Sequence, residues 1–254
     1  MQQKKRVNNF KSLISRLENI RPGCIENHPT LQASGYPLIK IVLGKGNSRR
    51  ALISAGIHGD EPGGVESVLS FLQHDRFTPY INNWEITLLP CINPYGYEFN
   101  TRENHQGKDL NRLFKVTEPP VEVKFAQSLL NTPFEITLEL HEDNESSGYY
   151  LYQKGRHAQD DALGFKILSE VKNIMPINLE DKIDDSKADQ GVIGKDLNTS
   201  AMDWWPMALY GFSKGTNRCL TLETASHFDM KIRVNAHLTA IDTALDFFSK
   251  KSKK

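Results

Sequence analysis

Two histidines and two carboxylates in this chain have the types and settings of a metal-dependent hydrolytic centre. His58 and Glu61 stand three apart in Gly56-Ile-His58-Gly-Asp-Glu61, directly after the apolar run Ala51-Leu-Ile53. A turn leaving a buried strand can bring an imidazole and a carboxylate to one ion, and the glycines around it allow close approach of backbone. His141 follows a second such run, Glu135-Ile-Thr-Leu-Glu-Leu140. Two imidazoles and one carboxylate are a donor set that Zn²⁺ takes in catalytic sites, with a fourth position left for water. A zinc so bound acidifies water and polarises a carbonyl. The reaction then needs a general base, and Glu223, at the end of Cys219-Leu-Thr-Leu222, is the candidate. Asn111 and Arg112, in Lys108-Asp-Leu-Asn-Arg-Leu113, offer an amide and a planar guanidinium to an oxyanion or a substrate carboxylate. Arg102 is a second cation of the same segment. A substrate with a free carboxylate is the expectation.

The elements that position these side chains are legible as alternating apolar patterns. Apolar runs predict strands over 38–43, 51–55, 84–89, 135–140, 149–152 and 218–222. Helical spacing predicts helices over 7–20, 62–73, 122–130, 158–173 and 236–248, the second opened by Pro62. Residues 95–115 are polar and rich in turn formers and predict a long loop, while 178–202 fit no single pattern. Alternating strands and helices imply a single α/β domain over residues 1–254, a three-layer α/β/α sandwich around a mixed, largely parallel sheet. In such sheets ligands bind beyond the carboxyl ends of strands, and His58, His141 and Glu223 each sit just after a predicted strand.

The totals narrow the function classes. With 31 basic and 31 acidic residues in 254, the formal charge is zero, which argues against a nucleic-acid footprint or an acidic membrane partner. No segment approaches the ~18 apolar residues of a membrane span. Cys24, Cys91 and Cys219 are odd in number and far apart, so no disulfide framework is expected and a cytoplasmic location is. Cys91 and Cys219 lie in apolar runs and are expected to be inert buried thiols.

The ordered series Gly56-Ile-His58-Gly-Asp-Glu61, Asn93-Pro-Tyr-Gly96, Arg102-Glu-Asn104, Asp109-Leu-Asn-Arg112, Leu140-His141 and Leu222-Glu223-Thr resembles the zinc carboxypeptidase superfamily. That grouping takes in digestive-type carboxypeptidases, murein peptide amidases and the succinylglutamate desuccinylase and aspartoacylase branch. The resemblance spans about residues 38–250 and implies a mixed sheet of about eight strands. It implies one zinc on His58, Glu61 and His141, Glu223 as base or acid, Asn111 and Arg112 on the substrate, and Arg102 nearby. Leu113 and Phe114 stand where carboxypeptidases carry a further Asn, as in the deacylase branch. Against that, 31 residues follow Glu223, room for one helix rather than the β-rich domain that branch usually adds. A carboxypeptidase or peptide amidase is therefore the first expectation, an N-acyl amino acid deacylase the second, and a non-catalytic binding protein on the same fold a remote third.

Blander readings stand beside these. His58 and His141 could be ordinary hydrogen-bonded histidines, and Glu61 a first-turn carboxylate favoured by a helix dipole. Glu223 could be a plain salt-bridge partner. Arg112 could pair with Asp109, and Arg102 could be a solvated charge. Glu142, Asp143 and Glu145 read as a solvated loop, as outer carboxylates that orient the ligating imidazole, or as a second metal site behind His141. Trp204, Trp205 and Tyr210 could wall a specificity pocket or pack in the core, and Tyr210 is carried forward as a substrate contact. His105, in the Arg102–Arg112 segment, is the remaining histidine nearest this chemistry.

Overall fold

In the computed structural model, residues 7–20, 25–157, 160–194 and 202–249 are described. The chain runs α1 (Phe10–Ile20), β1 (Ile25–Ala33), β2 (Tyr36–Leu43), β3 (Arg50–Ala55), α2 (Pro62–Gln73), β4 (Glu85–Leu89), α3 (Pro94–Phe99) and a 3₁₀ turn (Leu110–Arg112). It continues with α4 (Val121–Leu130), β5 (Ile136–Asp143), β6 (Tyr150–Gly155) and α5 (Asp161–Val171). The short strands β7 (Lys182–Ile183), β8 (Ser186–Lys187) and β9 (Val192–Ile193) follow, then α6 (Met207–Ser213), β10 (Arg218–Ala225) and α7 (Met230–Ser249).

One eight-stranded sheet has the order β1-β2-β4-β3-β5-β10-β6-β9, and β7 pairs with β8 separately. The pairs β4/β3, β3/β5, β5/β10 and β6/β9 are parallel; β1/β2, β2/β4 and β10/β6 are antiparallel. The central strands β4, β3 and β5 are buried on both sides because helices cover both faces, while β5 and β10 carry polar residues on one face. Leu138 and Leu140 of β5 join Val65, Val68 and Leu69 of α2 and Ile241 and Leu245 of α7 in one buried layer. Leu52 of β3 joins Val123, Phe125 and Ala126 of α4 and Met207 of α6 in the other. The result is the three-layer α/β/α arrangement with a mixed sheet that the sequence pattern implies. No helix among the described residues is long and apolar enough to cross a membrane. Cys91 and Cys219 are buried free thiols, and Cys24 lies outside the described residues.

Four departures from the sequence reading bear on the site. The segment 95–115 is not all loop: Asn93 accepts from Gly96 N at 2.9 Å and Pro94 opens α3, which ends at Asn100 with φ 52°. The strands β5 and β10 run on to Asp143 and Ala225, so His141 and Glu223 lie inside strands rather than after them. Their backbones stay in the ladder because each pairs with the other strand, Glu223 opposite His141. The final helix begins at Met230, not 236. Finally, α6, unmarked by any pattern read above, forms one wall of the site.

Candidate metal centre

The turn after β3 is built around two glycines. Gly56 has φ +63°, and a Cβ at Gly59 would collide with the backbone of Gly96 in α3, so only glycine lets the two segments meet. Gly59 N donates to Thr101 O at 3.0 Å, which fixes the turn to the Arg102 segment. Glu61 is the residue preceding α2, yet its carboxylate does not cap that helix. It turns instead to the histidines: Oε1 lies 2.6 Å from His58 Nδ1 and Oε2 lies 2.8 Å from His141 Nδ1. All three residues are buried, and one donor atom from each lies within 4.8 Å of the others. Among the described residues this is the one cluster of three or more such groups. Two imidazole nitrogens and a carboxylate converging at this range fit a divalent cation of the zinc type.

A surrounding layer orients the donors. Asp109 Oδ1 lies 3.2 Å from His58 Nε2, Asp109 Oδ2 accepts from Arg102 Nε at 3.0 Å, and Oδ1 also accepts from Asn111 N at 2.9 Å. A carboxylate behind a ligating imidazole fixes its tautomer and ring plane. His141 is set from its backbone, where the carbonyl is 3.1 Å from His237 Nε2. Burial holds His237 down at about 3, so its imidazole is neutral and Nε2–H donates. Burial lowers His58, but the Glu61 and Asp109 carboxylates outweigh it and raise the imidazole to about 9. Burial pushes His141 below its ordinary value, with Glu61 only partly offsetting. Burial alone would raise Glu61, and the two histidines overcome it and hold the carboxylate ionised.

These groups line a cavity of about 740 Å³, within the range of a small-molecule site. Glu223, Arg102, Asn111 and Arg112 line it with the three donors, so seven of the eight residues expected at the site are brought together. Glu223 is next to His141 across the β5/β10 ladder, and burial with the nearby Glu61 and Asp143 carboxylates pushes its proton affinity well up. Asn111 Oδ1 accepts from Met207 N at 2.9 Å, which leaves the amide NH₂ end to the cavity. The Arg112 guanidinium stacks on Trp204 at 4.1 Å and has no ion pair among the described residues; Asp109 is taken by Arg102 and His58. Arg102 is accordingly a held cation rather than a solvated one.

The eighth residue, Tyr210, does not line the cavity. Ala208 and Leu209 take that side of α6, and the ~100° step per residue turns the next side chain away. Tyr210 donates its hydroxyl to Asn131 Oδ1 at 3.0 Å and packs its ring 5.9 Å from Phe114. His105 is exposed, with its ring 6.1 Å from Tyr95. Of the acidic run after His141, Glu145 is exposed beyond β5, whereas Glu142 and Asp143 end that strand and take protein partners; the run forms no second metal cluster among the described residues. Glu142 is buried, accepts from Gly63 N at 2.8 Å at the start of α2, and pairs with Arg233 of α7. Asp143 accepts from the Tyr150 hydroxyl at 2.9 Å. Sequence reasoning missed Tyr150, Tyr152, Asp109 as the His58 partner, and Glu139. Glu139 shares the His141 face of β5, and burial raises it to about 8, with His58 opposing. An acidic residue between two leucines, Leu138 and Leu140, of a buried parallel strand was the available signal.

Residues 47–195, more than half of the chain, match the model of the succinylglutamate desuccinylase/aspartoacylase catalytic domain. The chain belongs to that family. Within the wider zinc carboxypeptidase-like grouping, it is 36% identical over 80 residues to murein peptide amidase A of Escherichia coli K12, a match spanning 32% of this chain and 31% of the amidase. The fold is shared with a Shewanella amazonensis SB2B protein described as a metallopeptidase, at TM-score 0.79 and 22% identity over 94% of this chain and 91% of that one. It is shared also with a metallo-carboxypeptidase from Burkholderia cenocepacia, at TM-score 0.71 and 14% identity over 95% and 68%. The His58, Glu61 and His141 centre lies in the matched region of this desuccinylase/aspartoacylase family member, and Glu223 lies beyond it.

Proposed function

We propose that this chain is a zinc-dependent hydrolase of an amide bond beside a free carboxylate, acting on short peptides as a carboxypeptidase or peptide amidase. The observation that carries the reading is the meeting of His58 Nδ1, Glu61 and His141 Nδ1 on the wall of one cavity that also holds Glu223 and Arg112. A bound zinc would supply Lewis-acid polarisation and acidify water. The rest falls to the chain. Arg112, half-buried and without an acidic partner among the described residues, offers its fork to the substrate carboxylate, and Trp204 under it fixes the plane. The Asn111 amide stands beside it as a donor. Glu223 takes the proton of the attacking water and returns it to the departing amine; its raised proton affinity suits the second half of that task. A cavity of about 740 Å³ suits a few residues of substrate, and the resemblance to a murein peptide amidase is in keeping with that size.

A second reading, deacylation of N-acyl amino acids, is favoured by the family match and by Leu113 after the Asn-Arg pair. One screen separates them. Zinc-loaded protein is offered short peptides, muropeptide fragments and N-acetyl or N-succinyl amino acids side by side. Peptide turnover that is lost on chelation and in Glu223→Gln, with zinc content unchanged in that variant, is expected. Turnover of the acyl amino acids alone would move the assignment to the second reading, and substantial turnover by Glu223→Gln would remove the residue from its role.

A further inference from the structure

The strand that carries His141 is gripped from behind by α7, a helix that among the described residues adds nothing to the cavity wall. The ladder between β3 and β5 ends at the pair Ala55 and Leu140, so the backbone just beyond it needs other partners. The peptide of His141 and Glu142 finds them at three points. The His141 carbonyl faces His237 Nε2 at 3.1 Å, and because a carbonyl only accepts, that nitrogen carries the proton. The buried Glu142 carboxylate pairs with Arg233 and accepts from Gly63 N at 2.8 Å. The Glu142 amide donates to Glu61 Oε2 at 3.2 Å, the same oxygen that lies 2.8 Å from His141 Nδ1. Gly63 makes room for this, since a Cβ there would lie 2.3 Å from Glu142 Oε1. Arg233 and His237 stand four apart on α7 and so share one face of it. His237 is fully buried with its ring 5.9 Å from that of Tyr149, and Ala236, Ala240, Ile241 and Leu245 anchor the helix in the core. Residues 141 and 142 thus supply one donor, hold a second, and are themselves held by α7. An apolar set in place of Glu142, Arg233 and His237 could fill the same space without burying polar groups, so what these residues add is a fixed place for the strand.

We propose that His237 and Arg233 are positioning residues of the metal centre: by fixing the peptide of His141 and Glu142 they set the separation of His141 Nδ1 from the Glu61 carboxylate, and with it the affinity for the divalent ion. The inference rests on the metal centre of the hydrolase reading and deepens it. It carries a thermodynamic corollary. A coupling between two sites acts equally in both directions, so the ion must tighten the docking of α7 by as much as α7 tightens the ion.

Zinc competition against a chelator and visible spectra of the cobalt(II)-loaded full chain test it, on wild type, His237→Phe and His237→Gln at one pH. Phenylalanine fills the space without a donor, and glutamine returns an N–H near the Nε2 position. Zinc affinity should fall ~10–100-fold in His237→Phe and return to within about threefold of wild type in His237→Gln. The cobalt bands should shift in the first variant and return in the second. Equal zinc affinity in all three chains overturns the inference, and so does an equal loss in both variants. Hydrogen exchange on the wild-type chain decides even if His237→Phe fails to fold. Zinc should slow exchange in the first turns of α7 more than in α4, which packs on the other face of the sheet; equal slowing in the two helices overturns the inference. A wild-type chain that binds no zinc removes the metal centre and the inference together. Zinc affinity that depends on the His237 donor, in a chain that hydrolyses no substrate, upholds the inference and removes the hydrolase reading instead.

Discussion

Acid should loosen the metal by one proton's worth per pH unit. Of the three donors, Glu61 is held ionised and His141 is pushed below its ordinary value by burial, while His58 is raised from 6.5 to about 9 by the carboxylates on either side of it. Without an ion, His58 therefore keeps its proton through the neutral range, and a cation must displace it. The apparent association constant should fall about tenfold for each unit below pH 9. Between pH 8 and pH 6 that is ~100-fold, or ~2.7 kcal/mol at ~1.36 kcal/mol per unit. The same linkage is visible in stability. A folded-state pKa raised above its unfolded value contributes stability that is fully present below about 6.5 and lost as the pH rises through about 9, so the chelated protein weakens across that window. The loaded protein has exchanged that proton for the cation. At roughly 2–4 °C per kcal/mol for a chain of this size, the Tm gap between loaded and chelated protein should widen by about 5–10 °C from pH 6 to pH 8. Competition against a chromophoric chelator of known proton affinity, with parallel thermal unfolding, measures both. A flat affinity profile would refute the assigned charge states. A slope of two decades per pH unit would do so as well, since it would require both histidines to be protonated.

Two substitutions test the groups behind the donors. Asp109→Asn removes the carboxylate that holds His58 Nε2 and Arg102 Nε, and zinc affinity should drop ~10–100-fold in the same competition assay; an unchanged affinity would mean that Glu61 and the turn orient His58 alone. Arg233→Met strands the buried Glu142 carboxylate at the start of α2, and denaturant unfolding should show a loss of ~3–5 kcal/mol, whereas a loss below ~1 kcal/mol would mean that the helix amides satisfy Glu142 unaided.

Much of the scaffold was legible because it follows simple periodicity. Pro62 and the apolar spacing after it predict the helix over the same residues that form α2. The His58–Glu61 turn was legible because its glycines and donors are local in sequence. Strand ends were not: a polar residue in a ladder looks like a loop until its partner strand is known, so His141 and Glu223 read as lying beyond strands that contain them. Partnerships across the chain were equally hidden. Glu142 reads as one of a run of solvated acids, and only the packing of α7 brings Arg233 to it across 91 positions. Tyr210 shows the converse error: its place in the sequence suggested the pocket, but the phase of a short helix turned it toward Asn131. Asp109 stood in the sequence only as a possible ion-pair partner of Arg112, three residues on, and nothing local in the sequence marks its contact with His58, 51 positions away.

The most direct test of the central claim is where zinc sits. Crystals of the full chain grown with zinc, with anomalous differences collected at its absorption edge, should show one ion held by His58 Nδ1, a Glu61 oxygen and His141 Nδ1. An ion bound elsewhere, or no ion at this centre in zinc-saturated crystals, would contradict the account.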